Sequence, residues 1–303
     1  MNRPITLTSD FGLEDAFVGV MKGVILGINP AARIVDICHN IGPQNVGEGA
    51  FTLASAYPYF PPDTVHVAVV DPGVGTRRRP IALATPKGFF VAPDNGLLTY
   101  VLAELDETYR VGNPRRGGDT RRGGFQTRPH MASMQRVTRK GLDLQSSTLD
   151  PSVKAVHLTE RRFWLPKVSA TFHGRDIFAP VAAHLSLGVP IEQLGEPITD
   201  LEMFPISKPD RIDTGTMVAH VIHVDRFGNL VTDARPGDLP PPPVSVTVRG
   251  RVIAGLSASY AGGDALVALI DSADRLEIAL GNGSAAKELG AGVGEEVKIE
   301  RTA

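Results

Sequence analysis

The sequence predicts an α/β N-terminal domain with a mainly parallel central sheet, plus a smaller all-β, barrel-like C-terminal domain. Two observations support this prediction. Strand-like and helix-like segments alternate along the first part of the chain, and after Met217 only short strands separated by Gly, Pro and Asp turns are expected. A chain of 303 residues is long enough for two domains. We expect the first over residues 1–201, a linker over 202–216 and the second over 217–303.

The first elements of the N-terminal domain follow one another in βα order. The strand "PITLTSD" ends at Asp10, and an amphipathic helix is predicted from Asp15 to Ile28. Its apolar residues recur at helical spacing: Phe17, Met21, Val24 and Ile28. "RIVDIC" is the second strand, Val46 to Ala56 the second helix and "TVHVAVVD" the third strand. Ligands of such folds bind at the carboxyl ends of the strands, where Asp10 and Asp71 stand.

The remaining N-terminal elements continue the pattern. "PIALATPKGFFVAP" predicts a hairpin that turns at residues 86–88, and Gly96 to Leu105 predicts a third helix. "VKAVHLT" predicts a further strand, and a helix is expected from Asp176 to Leu187 after "TFHGR". The C-terminal strands are expected at "MVAHVIHVD", "LVTD", "SVTVRGRVI", "ALVALID", "RLEIALG" and "EEVKIE".

Residues 113–152 interrupt this pattern. They contain eight Lys and Arg and three Asp, a local charge of +5, with few apolar residues and no periodicity. Such a stretch cannot bury enough surface to fold alone, so we interpret it as a flexible basic insertion. Basic tracts also bind RNA, and that alternative stays open for this segment.

Composition limits the class of protein. The net charge of -2 gives no reason to expect a nucleic acid or a membrane surface as partner. The single cysteine, Cys38, cannot form an internal disulfide, which favours a reducing compartment. No signal peptide and no membrane-spanning run is recognisable, so we expect a soluble cytoplasmic protein. Cys38-His39 lacks metal-ligand spacing, so no metal site is expected.

Four short stretches carry candidate functional residues. In "TSDFGLEDAF", Asp10 and Asp15 are either helix caps or carboxylates at the ligand-binding edge, where Asp suits vicinal hydroxyl groups. In "DPGVGTRR", Asp71 either pairs with a surface arginine within a plain turn or serves a site. In "TFHGRDIFAP", His173 precedes a helix that Asp176 could cap, and a lone His is usually structural.

The fourth stretch, "HVDRFGNLVTD", lies in the C-terminal domain. Asp225 and Asn229 flank Phe227 and Gly228. This pattern fits a hairpin turn, and it equally offers an aromatic face and a side-chain amide, the groups that recognise a purine. The residues alone leave both interpretations open.

Together these stretches resemble the SAM hydroxide adenosyltransferases, also called S-adenosylmethionine hydrolases, which are related to the SAM-dependent fluorinase and chlorinase. "TSDFG", "DPGVGT.RR", "PDNGLLT", "FHGRDIFAP" and "DRFGN" occur in order and at family-like spacing over nearly the whole chain except the insertion. The resemblance implies an N-terminal α/β domain, a C-terminal β-barrel domain and a homotrimer with sites between subunits. It implies hydrolysis of S-adenosyl-L-methionine (SAM) by water at the ribose 5′ carbon, giving adenosine and L-methionine without a cofactor.

The resemblance also implies roles for individual residues. Asp71, Arg78 and His173 match the residues that surround the nucleophilic water in the hydrolases. The implied substrate contacts are Asp10 for the ribose hydroxyls, Asp15 and Asp225 for the methionine amino group, Asn229 with Phe227 for adenine, and Ser272 near the methionine end. The fluorinase carries a serine for its halide where this chain has Gly174, an arginine at Ala273 and a tryptophan at Gln44. The alternatives are a SAM-dependent halogenase and a non-catalytic SAM- or adenosine-binding protein.

Overall fold

The computed structural model describes residues 2–105, 152–261 and 263–302. The predicted basic insertion therefore lies, except for Ser152, outside the described residues. The described residues fall into two units, one up to residue 204 and one from residue 205 onwards.

A seven-stranded sheet forms the centre of the N-terminal unit. Its strands are β1 (Ile5–Ser9), β2 (Ile34–Cys38), β3 (Val65–Val69), β4 (Pro80–Thr85), β5 (Gly88–Pro93), β6 (Lys154–Leu158) and β7 (Gly195–Pro197). They are ordered β2-β1-β3-β5-β4-β6-β7. The pairings from β2 to β5 are parallel and those from β5 to β7 antiparallel. The predicted α/β class is confirmed, and the parallel half is the one that contains Asp10 and Asp71.

Four α-helices accompany this sheet within the described residues: α1 (Phe17–Ile28), α2 (Val46–Ala56), α3 (Thr99–Leu105) and α4 (Ala179–Ser186). β1 and β3 are buried along their whole length, as expected for strands covered on both faces. Residues of α1 and α4 share one apolar cluster with these two strands. The parallel strands that lead to Asp10 and Asp71 are therefore rigidly held.

Several predicted boundaries in this unit were wrong. α1 begins at Phe17, two residues after Asp15, which is exposed and lies in a bend. α3 begins at Thr99, because residues 94–98 form turns. The helix predicted from Asp176 instead starts as a π-helical turn over Gly174–Phe178 and continues as α4. Asp176 is thus an interior residue of that turn and not its cap.

The C-terminal unit is a nearly closed antiparallel barrel. Its strands are β8 (Asp210–Arg211), β9 (Thr216–Val224), β10 (Leu230–Thr232), β11 (Val244–Val248), β12 (Arg251–Ala254), β13 (Leu266–Ile270), β14 (Leu276–Leu280) and β15 (Glu296–Arg301). The order is β12-β11-β15-β9-β10-β14-β13, with β8 beside β9. A bridge between Ser257 and Leu269 links the chain after β12 to β13, the opposite edge. This confirms the all-β, barrel-like prediction.

Two details of the C-terminal unit correct the sequence analysis. "SVTVRGRVI" is a hairpin of β11 and β12, because Arg249 and Gly250 both have positive φ angles, 48° and 74°, as a tight hairpin turn requires. A short helix, α5 (Ala285–Leu289), lies within the part that was expected to contain strands only. Ser284 caps it by accepting a hydrogen bond from the backbone N–H of Lys287. None of the helices described has the length and apolar character that crossing a bilayer demands.

Candidate active site

Asp10 and Asp71 leave the sheet at the same edge. β1 and β3 are adjacent and parallel, and their last residues, Ser9 and Val69, are paired. Asp10 follows Ser9 directly, and Asp71 follows Val69 by two residues. The carboxyl-end position inferred from the sequence is therefore what the fold produces for both aspartates.

Asp71 and Arg78 form a buried, two-pronged ion pair. Nε of Arg78 donates to Oδ1 of Asp71 at 2.8 Å, and Nη2 donates to Oδ2. The two side chains are only 5% and 8% exposed, and the guanidinium lies over the ring of Phe178. The surface-pair interpretation of Asp71 is therefore wrong. Charges this deeply buried are retained only when they are paired and hydrogen-bonded.

The loop between these two residues is docked onto the chain that leads to His173. Gly75 has a φ of +75°, and a Cβ atom there would lie 2.3 Å from the carbonyl oxygen of Ala170. Only glycine fits this combination of backbone angle and close approach. Because glycine is present here, the loop that carries Asp71 can pack directly against the loop that carries His173.

The "PDNGLLT" stretch supports the same loop from the other side. The amide of Asn95 donates to the carbonyl oxygen of Val70, the residue just before Asp71. Asp94, which is 5% exposed, pairs with Arg79 at 2.6 Å. Two consecutive arginines thus each pair with a buried aspartate, while Arg77 is exposed. Two of the three arginines that follow the turn therefore have structural partners.

His173 completes a contiguous trio. Its Nδ1 lies 2.9 Å from Nη2 of Arg78, and because a guanidinium has only donors, Nδ1 must accept this hydrogen bond. Burial, followed by the charge of Arg78, lowers the pKa of His173 below its usual range, although Asp71 acts in the opposite direction. The ring is therefore neutral at pH 7, with its proton on Nε2.

Asp176 fixes the loop that carries His173. It is fully buried and accepts hydrogen bonds from both the backbone N–H and the hydroxyl of Ser169, at 2.8 and 2.7 Å. Nε of Arg175 donates to its other oxygen at 2.6 Å. These contacts lower the pKa of Asp176 against the opposing effect of burial, so it stays ionised as a local anchor.

The loop of Asp10 is held by hydrogen bonds from three directions. The backbone N–H of Gln44 donates to Oδ2 of Asp10 at 2.7 Å. The hydroxyl of the preceding Ser9 is hydrogen-bonded to Nδ1 of His39 at 2.7 Å, and the backbone N–H of Gly12 donates to the His39 carbonyl oxygen. Ser9 and His39 are 2% and 5% exposed, so His39 is a structural partner of this loop.

Three phenylalanines join the Asp10 loop to the His173 loop. Phe11, Phe17 and Phe172 make tilted or edge-to-face contacts with centroids 5.2–5.7 Å apart. Gly174 lies against this cluster, where an added Cβ would meet Met21, Phe172 and Phe11 at 3.2–3.3 Å. The predicted N-terminal site residues Asp10, Asp71, Arg78 and His173 thus belong to loops that touch one another, whereas Asp15 is exposed and makes none of these contacts.

The C-terminal candidates lie in two turns. Asp225 shapes the turn between β9 and β10: its Oδ1 accepts from the backbone N–H groups of Phe227 and Asn229, and its Oδ2 accepts from the Asn229 side-chain amide. Phe227 is 77% exposed, and Asn229 is buried. Ser272 is exposed in the turn between β13 and β14. The hairpin-turn interpretation of "DRFGN" therefore holds, and the turn leaves an aromatic face open beside an amide.

The fold and the buried trio define a two-domain protein, α/β followed by β-barrel, with an acid–base cluster at the carboxyl edge of its sheet. A sequence model of the SAM hydroxide adenosyltransferase N-terminal domain matches residues 5–148 and 141–195, and one of the C-terminal domain matches residues 219–298. The chain belongs to the SAM hydroxide adenosyltransferase family.

Similar proteins agree with this assignment. The chain is 37% identical to an "(R)-S-adenosyl-L-methionine hydrolase" from Salinispora tropica, over 97% of both chains. It is 37% identical to another from Thermus thermophilus, over 98% of this chain and 99% of that one. A fluorinase from Nocardia brasiliensis is 27% identical over 78% of this chain and 73% of its own. A crystal structure of an uncharacterized conserved protein from Thermotoga maritima superposes with a TM-score of 0.76 at 33% identity, covering 98% of this chain and 100% of that chain.

Proposed function

We propose that the protein hydrolyses SAM, with water attacking the ribose 5′ carbon to give adenosine and L-methionine. The observation that carries this proposal is the buried, hydrogen-bonded trio of Asp71, Arg78 and His173. The names of the relatives from Salinispora and Thermus support the same substrate.

The chemistry of SAM accounts for the composition of the trio. The sulfonium leaves as a neutral thioether and needs no general acid, so the weak nucleophile is the partner that requires help. Asp71 would accept the proton of the attacking water, as a positioned general base does. His173, neutral, would provide a second contact that orients this water. We propose that the reaction needs no metal or organic cofactor.

Arg78 has an unused donor for the same oxygen. Its Nη1 is buried and has no hydrogen-bond partner among the described residues. A buried donor left unsatisfied costs about 1–3 kcal/mol, so a polar ligand at this point is favoured. A hydrogen bond from Nη1 would stabilise the negative charge that develops on the water oxygen in the transition state.

The substrate contacts are proposed from the resemblance, and the position of Asp10 at the carboxyl edge of the sheet supports its role. Asp10 would hold the ribose hydroxyls, and Asn229 with Phe227 would bind adenine. The methionine part of SAM would be bound by Asp15, Asp225 and Ser272. We further propose a homotrimer with sites between subunits, acting in the cytoplasm.

One experiment tests the reaction. SAM is incubated with the enzyme in oxygen-18 water. The products are separated by chromatography, and their masses are measured by mass spectrometry. We expect adenosine carrying the label at its 5′ oxygen, and unlabelled methionine. Label in methionine, or 5′-halo-adenosine as the main product in halide buffer, would refute hydrolysis by this route.

The halogenase alternative is disfavoured by Gly174. The resemblance implies that the fluorinase has, at this position, the serine that binds its halide. Here a Cβ atom would approach Met21, Phe172 and Phe11 more closely than a normal contact. A non-catalytic SAM-binding protein would have no evident use for the buried trio. Turnover of SAM in the experiment above would exclude this alternative.

The trimer proposal has its own test. Asp71→Asn and Asn229→Ala would each impair all sites of a uniform trimer. Co-expressed subunits carrying one change each should regain part of the activity if a site combines the N-terminal unit of one subunit with the C-terminal unit of another. Light scattering of the wild-type protein gives the oligomeric state directly.

A further inference from the structure

One buried carboxyl group has no part in the proposed mechanism. Glu277 lies on β14, is 4% exposed, and is paired across the sheet with Leu269 of β13 and Val231 of β10. Its neighbours in sequence, Leu276 and Ile278, belong to the barrel core. Because side chains alternate along a strand, Glu277 lies on the opposite, outer face of the sheet, beside the apolar side chain of Leu269.

The groups that shift the pKa of Glu277 are acidic or neutral. The hydroxyl of Tyr260 is hydrogen-bonded to its carboxyl group, and Asp271 and Asp225 act on it through their negative charges. Burial is the leading cause that raises the pKa of Glu277 to about 7. Arg275, two residues before Glu277, donates to the carbonyl oxygen of Thr232, and its positive charge acts on Asp271. A cationic group beside Glu277 would offset the negative charges of Asp225 and Asp271 that act on it.

The oxygens of the three carboxylates are used differently. Asp225 accepts three hydrogen bonds that shape its own turn. Oδ1 of Asp271 accepts from the backbone N–H groups of Ala273 and Arg275. Oε1 of Glu277, in contrast, is buried without a hydrogen-bond partner in the described residues. Leaving such an acceptor unsatisfied is costly, which favours a donor that is not among the described residues.

We propose that Glu277 is a specificity-determining residue that accepts a hydrogen bond from the α-ammonium group of the substrate. This inference rests on the proposed function. SAM has two cationic groups, and only the ammonium has N–H donors, since the sulfonium has none. Asp225 and Ser272, both assigned to the methionine end, lie in the turns next to this cluster. Asp225 then acts mainly by shaping its turn and by its charge, while Glu277 makes the direct contact.

The test compares two substrates in one variant. Glu277→Gln keeps the size of the side chain and its bond to Tyr260 but removes the charge. SAM carries the ammonium, whereas 5′-dimethylsulfonio-5′-deoxyadenosine keeps the sulfonium and the nucleoside and lacks the amino acid. We expect kcat/KM for SAM to fall about 10- to 100-fold in the variant, the loss typical of a hydrogen bond to a charged group, chiefly through KM. For the analogue, kcat/KM should be unchanged.

Controls separate this effect from a general loss of structure. Glu296→Gln removes an exposed carboxylate of the same unit and should leave both substrates unaffected. Glu277→Met, similar in length and without polar atoms, gives the same comparison if the glutamine variant does not fold. Equal losses for SAM and the analogue, or no loss for SAM, would overturn the proposal.

The outcome also distinguishes this inference from the proposed function. If the wild-type protein binds SAM without hydrolysing it, hydrolysis is refuted, and calorimetry of SAM binding to wild type and Glu277→Gln decides the inference. Weaker binding of SAM in the variant, with analogue binding retained, would support it, and equal SAM binding would overturn it. A wild-type protein that does not bind SAM would refute both.

Discussion

Replacing Asp71 by Asn should reduce both the stability of the N-terminal unit and the rate of hydrolysis. The change keeps the shape of the side chain and removes its charge. Arg78, 8% exposed, would keep one acceptor and lose its buried counterion. Breaking a buried ion pair by removing one partner costs about 3–5 kcal/mol. At about 2–4 °C per kcal/mol for a domain of this size, the melting temperature should fall by about 6–20 °C.

The adjacent arginine supplies a matched control. Arg79 pairs with Asp200, whose side chain is 78% exposed, at 2.8 Å. Asp200→Asn removes the same kind of contact at the surface, where an ion pair contributes about 0–1 kcal/mol. Thermal unfolding of both variants, followed by circular dichroism, compares the two pairs. Equal melting temperatures in the two variants would show that burial of the Asp71–Arg78 pair does not stabilise the fold.

The kinetic part of this prediction concerns the trio as a unit. Asp71→Asn and His173→Ala should each lower kcat by about 10²–10⁴, the range for positioned acid–base groups. Because Arg78 contacts both residues, the double variant should be little slower than the slower single variant. SAM affinity, measured by calorimetry, should survive in all three. Variants that bind SAM poorly but turn over bound SAM at the normal rate would make these groups binding residues and refute the mechanism.

Three further predictions address other parts of the chain. Asp10→Ala should mainly raise KM, because the proposed contact with the ribose hydroxyls would be lost, and a normal KM in steady-state kinetics would contradict that role. Replacing Arg115 to Leu149 by a short Gly-Ser linker should leave hydrolysis within a few-fold, and loss of activity in a protein that still folds would show that this segment reaches the site. Burial lowers the pKa of His66 to about 4 in the folded protein, from about 6.5 in the unfolded chain. The contribution of neutral His66 to the free energy of unfolding should therefore be fully present above pH 6.5 and fall by about 3 kcal/mol as the pH decreases to 4. Urea unfolding of His66→Phe should show a smaller decline, and an equal decline would rule out His66 as its source.

Positions that depend on strand ends could be predicted from the sequence. Asp10 and Asp71 each follow an apolar strand, and the βα order places such residues at one edge of a parallel sheet. The sequence also predicts a turn before Arg78, and the structure adds the positive φ of Gly75 and its close approach to Ala170. A strand end and a glycine-containing turn are local patterns, and each leads to a defined backbone geometry.

Other features depend on tertiary contacts that no local pattern encodes. "RLEIALG" shows ordinary strand alternation, in which a glutamate is expected to face solvent, yet Glu277 is buried by the neighbouring strands and Tyr260. Asp176 looked like a helix cap because it precedes an apolar run, but the Ser169 loop folds over it and it becomes an internal anchor. The turn at "DRFGN" is shown by the hydrogen bonds that Asp225 accepts, while its role in binding a purine stays a prediction.

The tight setting of Gly174 has a consequence for how enzymes of this family can diversify. An added Cβ atom at this position would lie only 3.2–3.3 Å from side-chain atoms of Phe11, Phe172 and Met21. A substitution to serine would meet a wall that belongs to three different segments, α1 among them. The resemblance places the halide serine of the fluorinase at this position, so a change from glycine to serine here would require the neighbouring side chains to shift by a few tenths of an ångström. A change of residue 174 is therefore coupled to the packing of side chains outside the Asp71, Arg78 and His173 trio.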